Sequence, residues 1–308
     1  MEKVCIVMCT YNGGKYIREQ INSILCQNSV DITLVIRDDG STDNTREIIQ
    51  EYTEDARVVF AEKLSEKHNE LGVGNGFIKL IDYAVRRFED IEYFGFSDQD
   101  DVWLPDKIIR GVSAISANAK QKVLYFTKKK VVDEKLQYLR EDFVNYHDEF
   151  SDYLSQNDAS GCTMLFNRAF AEFILQSPIM KRPYLHDVYF CKVALSTDTV
   201  LIYDNYESML YRQHASNVEG ARSVSVLSKK NIGKLFKKRR HFLYRITVDI
   251  YDTYKHNLKD EYKNYLAYLL KYKNPVYTVR LLALYYGSKH RSIKEKMRMT
   301  GMFLFHGV

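Results

Sequence analysis

The chain has little of several features that mark common protein classes. Four prolines and 14 glycines among 308 residues are too few for a low-complexity or collagen-like protein. The five cysteines are odd in number and form no Cys-x-x-Cys pair, so neither a disulfide framework nor a zinc site is indicated. No apolar run reaches the roughly 20 residues that span a bilayer, and no signal-peptide pattern comes before the first strand pattern. We therefore expect a globular protein with free thiols, cytoplasmic and peripheral on the inner face of the cell membrane.

Acidic and basic residues are distributed unevenly along the chain. Residues 1–221 carry 25 Lys and Arg against 35 Asp and Glu, whereas residues 222–308 carry 20 against 5. The second region also has helical periodicity and ten of the 24 tyrosines. We therefore predict two regions with different partners, 1–221 and 222–308.

The most basic segment, 229–245, has cationic residues interleaved with apolar ones at helical spacing. This pattern is typical of a helix that lies on an anionic membrane surface. The alternative is a solvated helix that packs on the main domain through its apolar stripe. Nucleic acid offers the same negative charge, but the carboxylates that look catalytic lie in the acidic region, so we expect no nucleic-acid partner.

Residues 1–130 alternate between strand and helix patterns. Apolar runs of strand length occur at 3–10, 32–37, 57–61, 93–97 and 123–127. Helical spacing occurs at 16–25, after a cap at Ser41–Asp43, at 75–88 and at 105–117. Strands that alternate with helices predict an α/β fold with a mostly parallel central sheet flanked by helices.

Three of the predicted strands end in polar residues. Thr10-Tyr11-Asn12-Gly13-Gly14 follows the first strand, Asp38 to Asp43 the second, and Asp98-Gln99-Asp100-Asp101 the fourth. Ligands of such sheets bind beyond the carboxyl ends of the strands, so we expect these tips to line one cleft. Two carboxylates separated by one residue suit a hard divalent ion such as Mg2+ or Mn2+. Turn residues and an ordinary helix cap are the alternative for each tip taken alone.

These motifs together carry a family resemblance. Cys9-Thr10-Tyr11-Asn12, the run 38–45 (DDGSTDNT) and Asp98-x-Asp100 after an aromatic strand resemble the inverting family-two glycosyltransferases. The resemblance continues through 160–164 (SGCTM), His186-Asp187 and 211–214 (YRQH), so it covers residues 3–220. It implies the GT-A fold, a nucleotide-sugar donor and a divalent metal cofactor.

The resemblance also implies roles on the donor side. Thr10, Tyr11 and Asn12 are assigned to the nucleotide pocket. Asp39 is assigned to the pyrimidine base and Asp98 to the ribose and the metal. Asp100 is the expected ligand of the metal that bridges the donor diphosphate, with Asp101 as the alternative. His214 is a further metal or diphosphate ligand, with a surface histidine as the alternative.

On the acceptor side, Asp187 is the candidate general base. It follows His186 at the start of a predicted helix, where backbone N–H groups favour an ionised carboxylate; a helix cap is the alternative. His186, Gly161 and Trp103 are assigned to the acceptor and sugar pocket, although Trp103 is also compatible with a core position. Cys162 is assigned to packing.

The narrower motif 97–103 (SDQDDVW) is similar to a bacterial subgroup often labelled rhamnosyltransferases. It implies transfer of L-rhamnose from dTDP-L-rhamnose to a saccharide, one linked to a polyprenyl diphosphate, in surface polysaccharide synthesis. UDP-glucose, UDP-galactose and UDP-N-acetylhexosamine are alternative donors. A sugar nucleotidyltransferase and a non-enzymatic membrane or nucleic-acid adaptor are the alternatives from other functional classes.

Overall fold

The structure is a computed structural model that describes residues 1–64, 73–144, 146–147, 149–154, 159–176, 185–214 and 229–304. It divides into two compact units. The first contains residues 1–144, 158–194 and 199–217, and the second contains residues 145–157, 195–198 and 218–308. The helical unit thus takes two segments from the part of the sequence that precedes Ala221.

Within the described residues, the first unit is built on a mixed sheet of nine strands. The strands are β1 (Glu2–Thr10), β2 (Val30–Asp38), β3 (Val58–Phe60), β4 (Tyr93–Ser97), β5 (Val102–Trp103), β6 (Val123–Val132), β7 (Tyr138–Glu141), β8 (Leu165–Asn167) and β9 (Val200–Arg212). Their order is β3-β2-β1-β4-β8-β6-β9-β5, with β7 beside β6. β3, β2, β1 and β4 are parallel neighbours, and β6 is parallel to β9. β8 is antiparallel to both of its neighbours.

Helices cover this sheet. They are α1 (Ile17–Leu25), α2 (Thr45–Tyr52), α3 (Val73–Arg87), α4 (Lys107–Ser116), α6 (Arg168–Leu175) and α7 (His186–Ser196). In α1 the apolar residues Ile17, Ile21 and Ile24 recur every three or four places and are fully buried, as expected for the core face of a helix. The α/β prediction and the helical character of the C-terminal region are confirmed.

The burial of the central strands explains why the sequence predicts them. β1 is buried from Val4 to Met8, because parallel strands are covered on both faces and need apolar residues at consecutive positions. β1 lies between β2 and β4, and Thr10 pairs with Asp38 while Met8 pairs with Ser97. The three polar tips are therefore neighbours at one edge of the sheet.

The second unit contains α5 (Phe150–Leu154), α8 (Lys229–Tyr254), α9 (Asp260–Leu270), α10 (Pro275–Gly287) and α11 (Ile293–Leu304). Ile246, Tyr262 and Leu281 are among its buried residues. Arg291 and Asp152 form a buried ion pair within this unit. In the part of the chain that the structure describes, no helix combines the length and apolar character needed to cross a membrane.

The backbone of the basic segment 229–245 is helical. The side chains of residues 229–241 lie outside those that the structure describes, and so does part of the resembling region, 215–220. The membrane contact predicted for 229–245 therefore stays a prediction.

Candidate active site

The tips of β1 and β2 are held together by a buried carboxylate. Thr10 Oγ1 donates to Asp38 Oδ1 at 2.9 Å, and the backbone N–H groups of Gly40 and Ser41 donate to Asp38 Oδ2. Thr10 and Asp38 are both buried. The Thr10 side chain, predicted to line the nucleotide pocket, is therefore engaged in shaping the loop.

Asn12 connects the same two tips. It has a positive φ of 49°, a conformation that asparagine tolerates better than most residues. Its N–H donates to Ser41 Oγ, and its Oδ1 accepts from the N–H of Thr42, both at 2.8 Å. The side-chain oxygen of Asn12 is thus bonded to the loop after β2. Asn12 would therefore contribute to donor binding by shaping this loop.

Gln99 joins the tip of β1 to the tip of β4. Its Oε1 accepts from the N–H of Tyr11 at 2.9 Å, and its Nε2 donates to the carbonyl of Tyr11 at 3.0 Å. A Cβ on Gly13 would lie 2.3 Å from Gln99 Oε1, so glycine is needed there for this close approach. Tyr11 itself is 37% exposed.

Asp39 is the predicted base-binding residue. Its carboxylate is 2.7 Å from Arg37 Nη2, and the Asp39 side chain keeps 15% of its surface exposed while that of Arg37 keeps 3%. The Asp39 N–H donates to the carbonyl of Thr10. Asp39 is therefore fixed at the rim of the strand tips, next to Tyr11.

The acidic run after β4 is largely buried. Asp101 is fully buried, and the Asp100 side chain is only 13% exposed. Burial, and then the neighbouring Asp100, raise the pKa of Asp98 to about 7. Burial also raises the pKa of Asp100, and it raises that of Asp101 well above its usual value. Three carboxylates so close together favour either a proton or a cation among them.

His214 lies against this run. Its Nε2 is 2.8 Å from Asp100 Oδ2, and its ring stacks obliquely on Tyr16 with the centroids 4.9 Å apart. A residue after β9 is thus brought to the acidic run that follows β4.

Arg212 fixes the loop from the end of β9. Its backbone N–H donates to Asp101 Oδ1 at 3.0 Å, its Nε donates to the carbonyl of Asp100 at 2.9 Å, and its Nη1 donates to the carbonyl of Glu134 at 2.6 Å. Arg212 Nη2 also pairs with Glu19. The conformation of the acidic run therefore depends on a strand more than 100 residues away.

The residues present fit a divalent cation. Asp101 Oδ2 is buried and has no hydrogen-bond partner among the described residues. Atoms of Asp98, Asp101 and Cys162 lie within 4.8 Å of one another, but a thiol is a poor ligand for a hard ion. The set predicted from the sequence, Asp98, Asp100 and His214, offers oxygen and nitrogen donors instead, and within it the structure shows the contact between Asp100 and His214.

Asp187 and His186 begin α7. Burial raises the pKa of Asp187, although the N–H groups of Val188 and Gly161 and the charge of Lys129 oppose that effect. Asp187 Oδ1 accepts from the N–H of Val188 at 2.7 Å. A half-buried carboxylate with a raised pKa is a suitable proton acceptor.

His186 is buried between two aromatic rings. Its ring centroid is 4.2 Å from that of Phe77 and 4.5 Å from that of Phe96. Burial lowers the pKa of His186 to about 3, so the ring is neutral at physiological pH. A Cβ on Gly161 would lie 2.4 Å from His186 Nε2. Gly161 thus admits the histidine ring, whereas we had expected it to shape the acceptor pocket.

Trp103 lies in the core and not on an open surface. It is 3% exposed and belongs to the main apolar cluster of the sheet, and Lys107 Nζ lies 4.7 Å from its ring centroid. A sugar-facing role for Trp103 is not supported by this position, and the core alternative agrees with it.

Lys129 is a site residue that sequence reasoning missed. It donates to Ser160 Oγ, and its Nζ lies 4.2 Å from the ring centroid of Tyr211. Its positive charge acts on both Asp98 and Asp187. The only signal in the sequence is the run Lys128-Lys129-Lys130, which does not show which of the three points towards the acidic residues.

Comparisons with known proteins find similar glycosyltransferases. The family model described as glycosyl transferase family 2 matches residues 5–175. The dTDP-rhamnosyl transferase RfbG of Shigella flexneri is 30% identical over 238 residues, which cover 73% of this chain and 78% of that protein. An uncharacterised glycosyltransferase of Rickettsia felis is 30% identical over 144 residues, which cover 46% of this chain and 22% of that protein.

Solved structures are similar in fold. The crystal structure of S. aureus TarS in complex with UDP has a TM-score of 0.55 and 17% identity, and the match covers 90% of this chain and 72% of that one. At this level of identity the likeness shows the fold alone, which is the GT-A fold that the sequence resemblance implied.

Proposed function

Because the chain belongs to glycosyl transferase family 2, we propose that it is an inverting enzyme that transfers L-rhamnose from dTDP-L-rhamnose to a saccharide. The observation that carries this proposal is the contact between Asp100 and His214 beside Asp98, at the sheet edge that also holds Asp39. The relative from Shigella flexneri supports the choice of rhamnose. Family membership argues against the nucleotidyltransferase and adaptor alternatives.

On the donor side, the strand tips form a rigid receptor for the nucleotide. Gln99 holds the Tyr11 backbone, and Asp38 holds the loop after β2. Asp39 then accepts a hydrogen bond from the pyrimidine N–H, and Asp98 accepts one from a ribose hydroxyl. Pre-formed hydrogen-bonding groups of this kind avoid the entropy cost of ordering on binding.

The metal site of this mechanism is formed by Asp98, Asp100 and His214. A divalent ion held there would supply electrostatic stabilisation for the negative charge on the departing nucleoside diphosphate. Arg212 keeps the Asp100 backbone in place through its carbonyl, so the carboxylates meet the donor without rearrangement.

On the acceptor side, Asp187 takes the proton from the attacking hydroxyl. The hydroxyl oxygen bonds to the anomeric carbon as the bond from that carbon to the phosphate oxygen breaks on the opposite face, which inverts the configuration. A carboxylate whose pKa is raised by burial is a stronger base than an exposed one. Lys129 places positive charge near Asp187, which keeps the ionised form accessible.

The proposed acceptor is a saccharide on a polyprenyl diphosphate lipid, extended during bacterial surface polysaccharide synthesis. Such an acceptor resides in the membrane, and an enzyme with the basic segment 229–245 would meet it at the inner, anionic surface. The excess of Lys and Arg over Asp and Glu in residues 222–308 supports this location.

A donor panel tests the proposal. The protein is mixed with about 1 mM Mn2+ and each of dTDP-L-rhamnose, UDP-glucose, UDP-galactose and UDP-N-acetylglucosamine, since a bound ligand raises Tm with its degree of saturation. We expect the largest shift with dTDP-L-rhamnose, and release of free nucleoside diphosphate on incubation. A larger Tm shift with a UDP-sugar would identify that compound as the donor instead. Release of pyrophosphate would contradict the transferase mechanism.

The metal assignment is tested with Asp100→Ala. We expect the variant to lose the Mn2+-dependent part of donor binding in titration calorimetry, because it lacks the carboxylate that contacts His214. Glu141→Ala, at an exposed position of β7, is the matched control. An unchanged metal dependence in Asp100→Ala would move the ligand to Asp101.

A further inference from the structure

The second unit exposes an apolar stripe on two neighbouring helices. Val276, Val279 and Tyr286 lie on α10, and Ile293 and Met297 lie on α11, with exposed fractions from 47% to 79%. Their spacings of three, seven and four residues place each set on one helix face. We call these five residues the α10–α11 stripe.

The two halves of the stripe lie on helices that contact each other. Tyr286 Oη is 2.8 Å from Thr300 Oγ1 of α11, and Lys296 Nζ donates to the carbonyl of Tyr286 at 3.0 Å. Lys296 and Thr300 lie three residues after Ile293 and Met297, so Tyr286 contacts the face of α11 that carries the other half of the stripe. The stripe forms one surface rather than two separate exposed positions.

Folding of the unit does not require this surface. α10 buries Leu281 and Tyr285, and α11 buries Met299 and Phe303, so each helix already packs through another face. A surface helix normally carries polar residues opposite its buried face. Large apolar side chains there, on two adjacent helices, indicate an interaction site.

The surroundings of the stripe are strongly cationic. Residues 271–304 contain eight Lys and Arg residues and a single acidic residue, Glu295. One of the eight, Arg291, is buried in its pair with Asp152. The exposed basic residues are Lys271, Lys273, Arg280, Lys289, Lys294 and Arg298. An apolar centre with a cationic margin matches the boundary between acyl chains and anionic headgroups.

We propose that the α10–α11 stripe inserts into the surface of an anionic lipid bilayer. The apolar side chains enter the acyl boundary, Tyr286 lies at the interface where tyrosine is enriched, and the surrounding lysines and arginines contact lipid phosphates. A second copy of the chain is a poorer partner, because a symmetric contact would place two cationic surfaces against each other.

This inference rests on the membrane partner of the proposed function, and it assigns the contact to residues separate from 229–245. The two contacts differ in how they depend on salt. Attraction between basic residues and headgroups is screened by salt, whereas burial of apolar side chains is not. The stripe therefore accounts for the part of membrane binding that resists salt.

Vesicle binding tests the stripe. Sedimentation is measured with vesicles of phosphatidylglycerol and phosphatidylcholine, at low and high salt, for the full chain and for Val279→Asp/Ile293→Asp. We expect the double variant to partition about tenfold more weakly at high salt, because two exposed apolar side chains no longer enter the bilayer. Leu139→Asp, an exposed leucine of β7, is the matched control and retains wild-type binding.

A fluorescent probe reports insertion directly. Trp103 is the only tryptophan of the chain and is buried, so its emission serves as an internal reference. Met297→Trp adds one tryptophan in the stripe, and we expect its emission to shift to shorter wavelength with vesicles and to be quenched by brominated lipid. Emission at Met297→Trp that does not respond to vesicles would overturn the proposal.

Other outcomes are equally decisive. Wild-type salt-resistant binding by Val279→Asp/Ile293→Asp would remove the stripe from the membrane contact. A wild-type dimer in solution that Val279→Asp converts to monomer would assign the stripe to a second copy. Donor turnover with a soluble saccharide, measured without vesicles, separates the two proposals: its absence contradicts the enzyme function, while stripe-dependent vesicle binding still supports this inference.

Discussion

The two units use charge in opposite ways. In the sheet unit, several charged groups beside the strand tips are buried and held by specific partners, as Asp101 is by the backbone of Arg212. In the helical unit, most basic residues of 271–304 are exposed, and the pair of Arg291 with Asp152 is the exception. Buried charges with specific partners hold side chains in a defined geometry, which catalysis requires. Exposed charges of one sign give long-range attraction, which suits a surface.

Asp187 and Asp152 make this comparison concrete. Both are carboxylates whose pKa is raised by burial. Asp152 faces Arg291, whereas Asp187 is the only one of the two with a proposed role in proton transfer. Replacing each of them should therefore separate catalysis from stability.

The largest effect is expected for Asp187→Asn. Without the proton acceptor, kcat should fall about 10²- to 10⁴-fold, while donor binding and Tm stay close to wild type. The wild-type kcat/KM should also fall at acidic pH. Because burial raises the pKa of Asp187, this fall should occur at a higher pH than for an exposed aspartate. Steady-state kinetics across pH measure both. Retained transfer would exclude Asp187 as the base.

Asp152→Ala should give the reverse result. Removal of Asp152 leaves the buried Arg291 charge with the more distant Glu295, 3.4 Å away, which costs about 3 kcal/mol of unfolding free energy. The variant should melt at lower temperature, while transfer to a soluble acceptor below Tm keeps the wild-type kcat. Loss of kcat without loss of stability would contradict the division of roles between the two carboxylates.

Gln99→Leu should have a smaller effect within the sheet unit. The loss of two hydrogen bonds to the Tyr11 backbone should weaken donor binding by roughly 1–3 kcal/mol, seen as a raised donor KM with a smaller change in kcat. Gln50→Leu, on the exposed face of α2, is the matched control. Equal KM values for the two variants would remove Gln99 as a positioning residue.

The smallest effect concerns pH and the cation. Burial raises the pKa of Asp98 to about 7, so the folded chain holds a proton that the unfolded chain has lost above about pH 4. Without a cation, stability therefore falls as pH rises from about 4 to about 7. Mn2+ should raise Tm by a few degrees more near pH 8 than near pH 5.5. The variant Asp98→Asn/Asp100→Asn should lose this difference.

The fold was predictable where packing leaves a local signature. The strand β4 has the predicted bounds, 93–97, because a buried strand reads as a continuous apolar run. The predicted cap at Ser41–Asp43 was close, since Asp43 Oδ1 accepts from the N–H of Thr45 at the start of α2. The strand β5 is only two residues long, and so short an element has no distinct period in the sequence.

The site was predictable in its motifs but not in its contacts. His214 was expected near the metal loop and lies 2.8 Å from Asp100. The roles of Gln99, Lys129 and Arg212 depend on which strands are neighbours, and strand pairing over long sequence separations leaves no local pattern. Trp103 was placed beside the sugar because it follows the acidic run, but β5 turns its side chain into the core.

The contacts of Arg212 determine when, during synthesis of the chain, the acidic run can reach its final conformation. The acidic run leaves the ribosome long before β9, yet its backbone conformation relies on the N–H and guanidinium of Arg212. A nascent chain that ends before residue 212 therefore lacks both this support and His214. The three carboxylates reach this arrangement only when the last strand joins the sheet. Under the proposed function, competence for the donor and completion of the sheet are therefore one event.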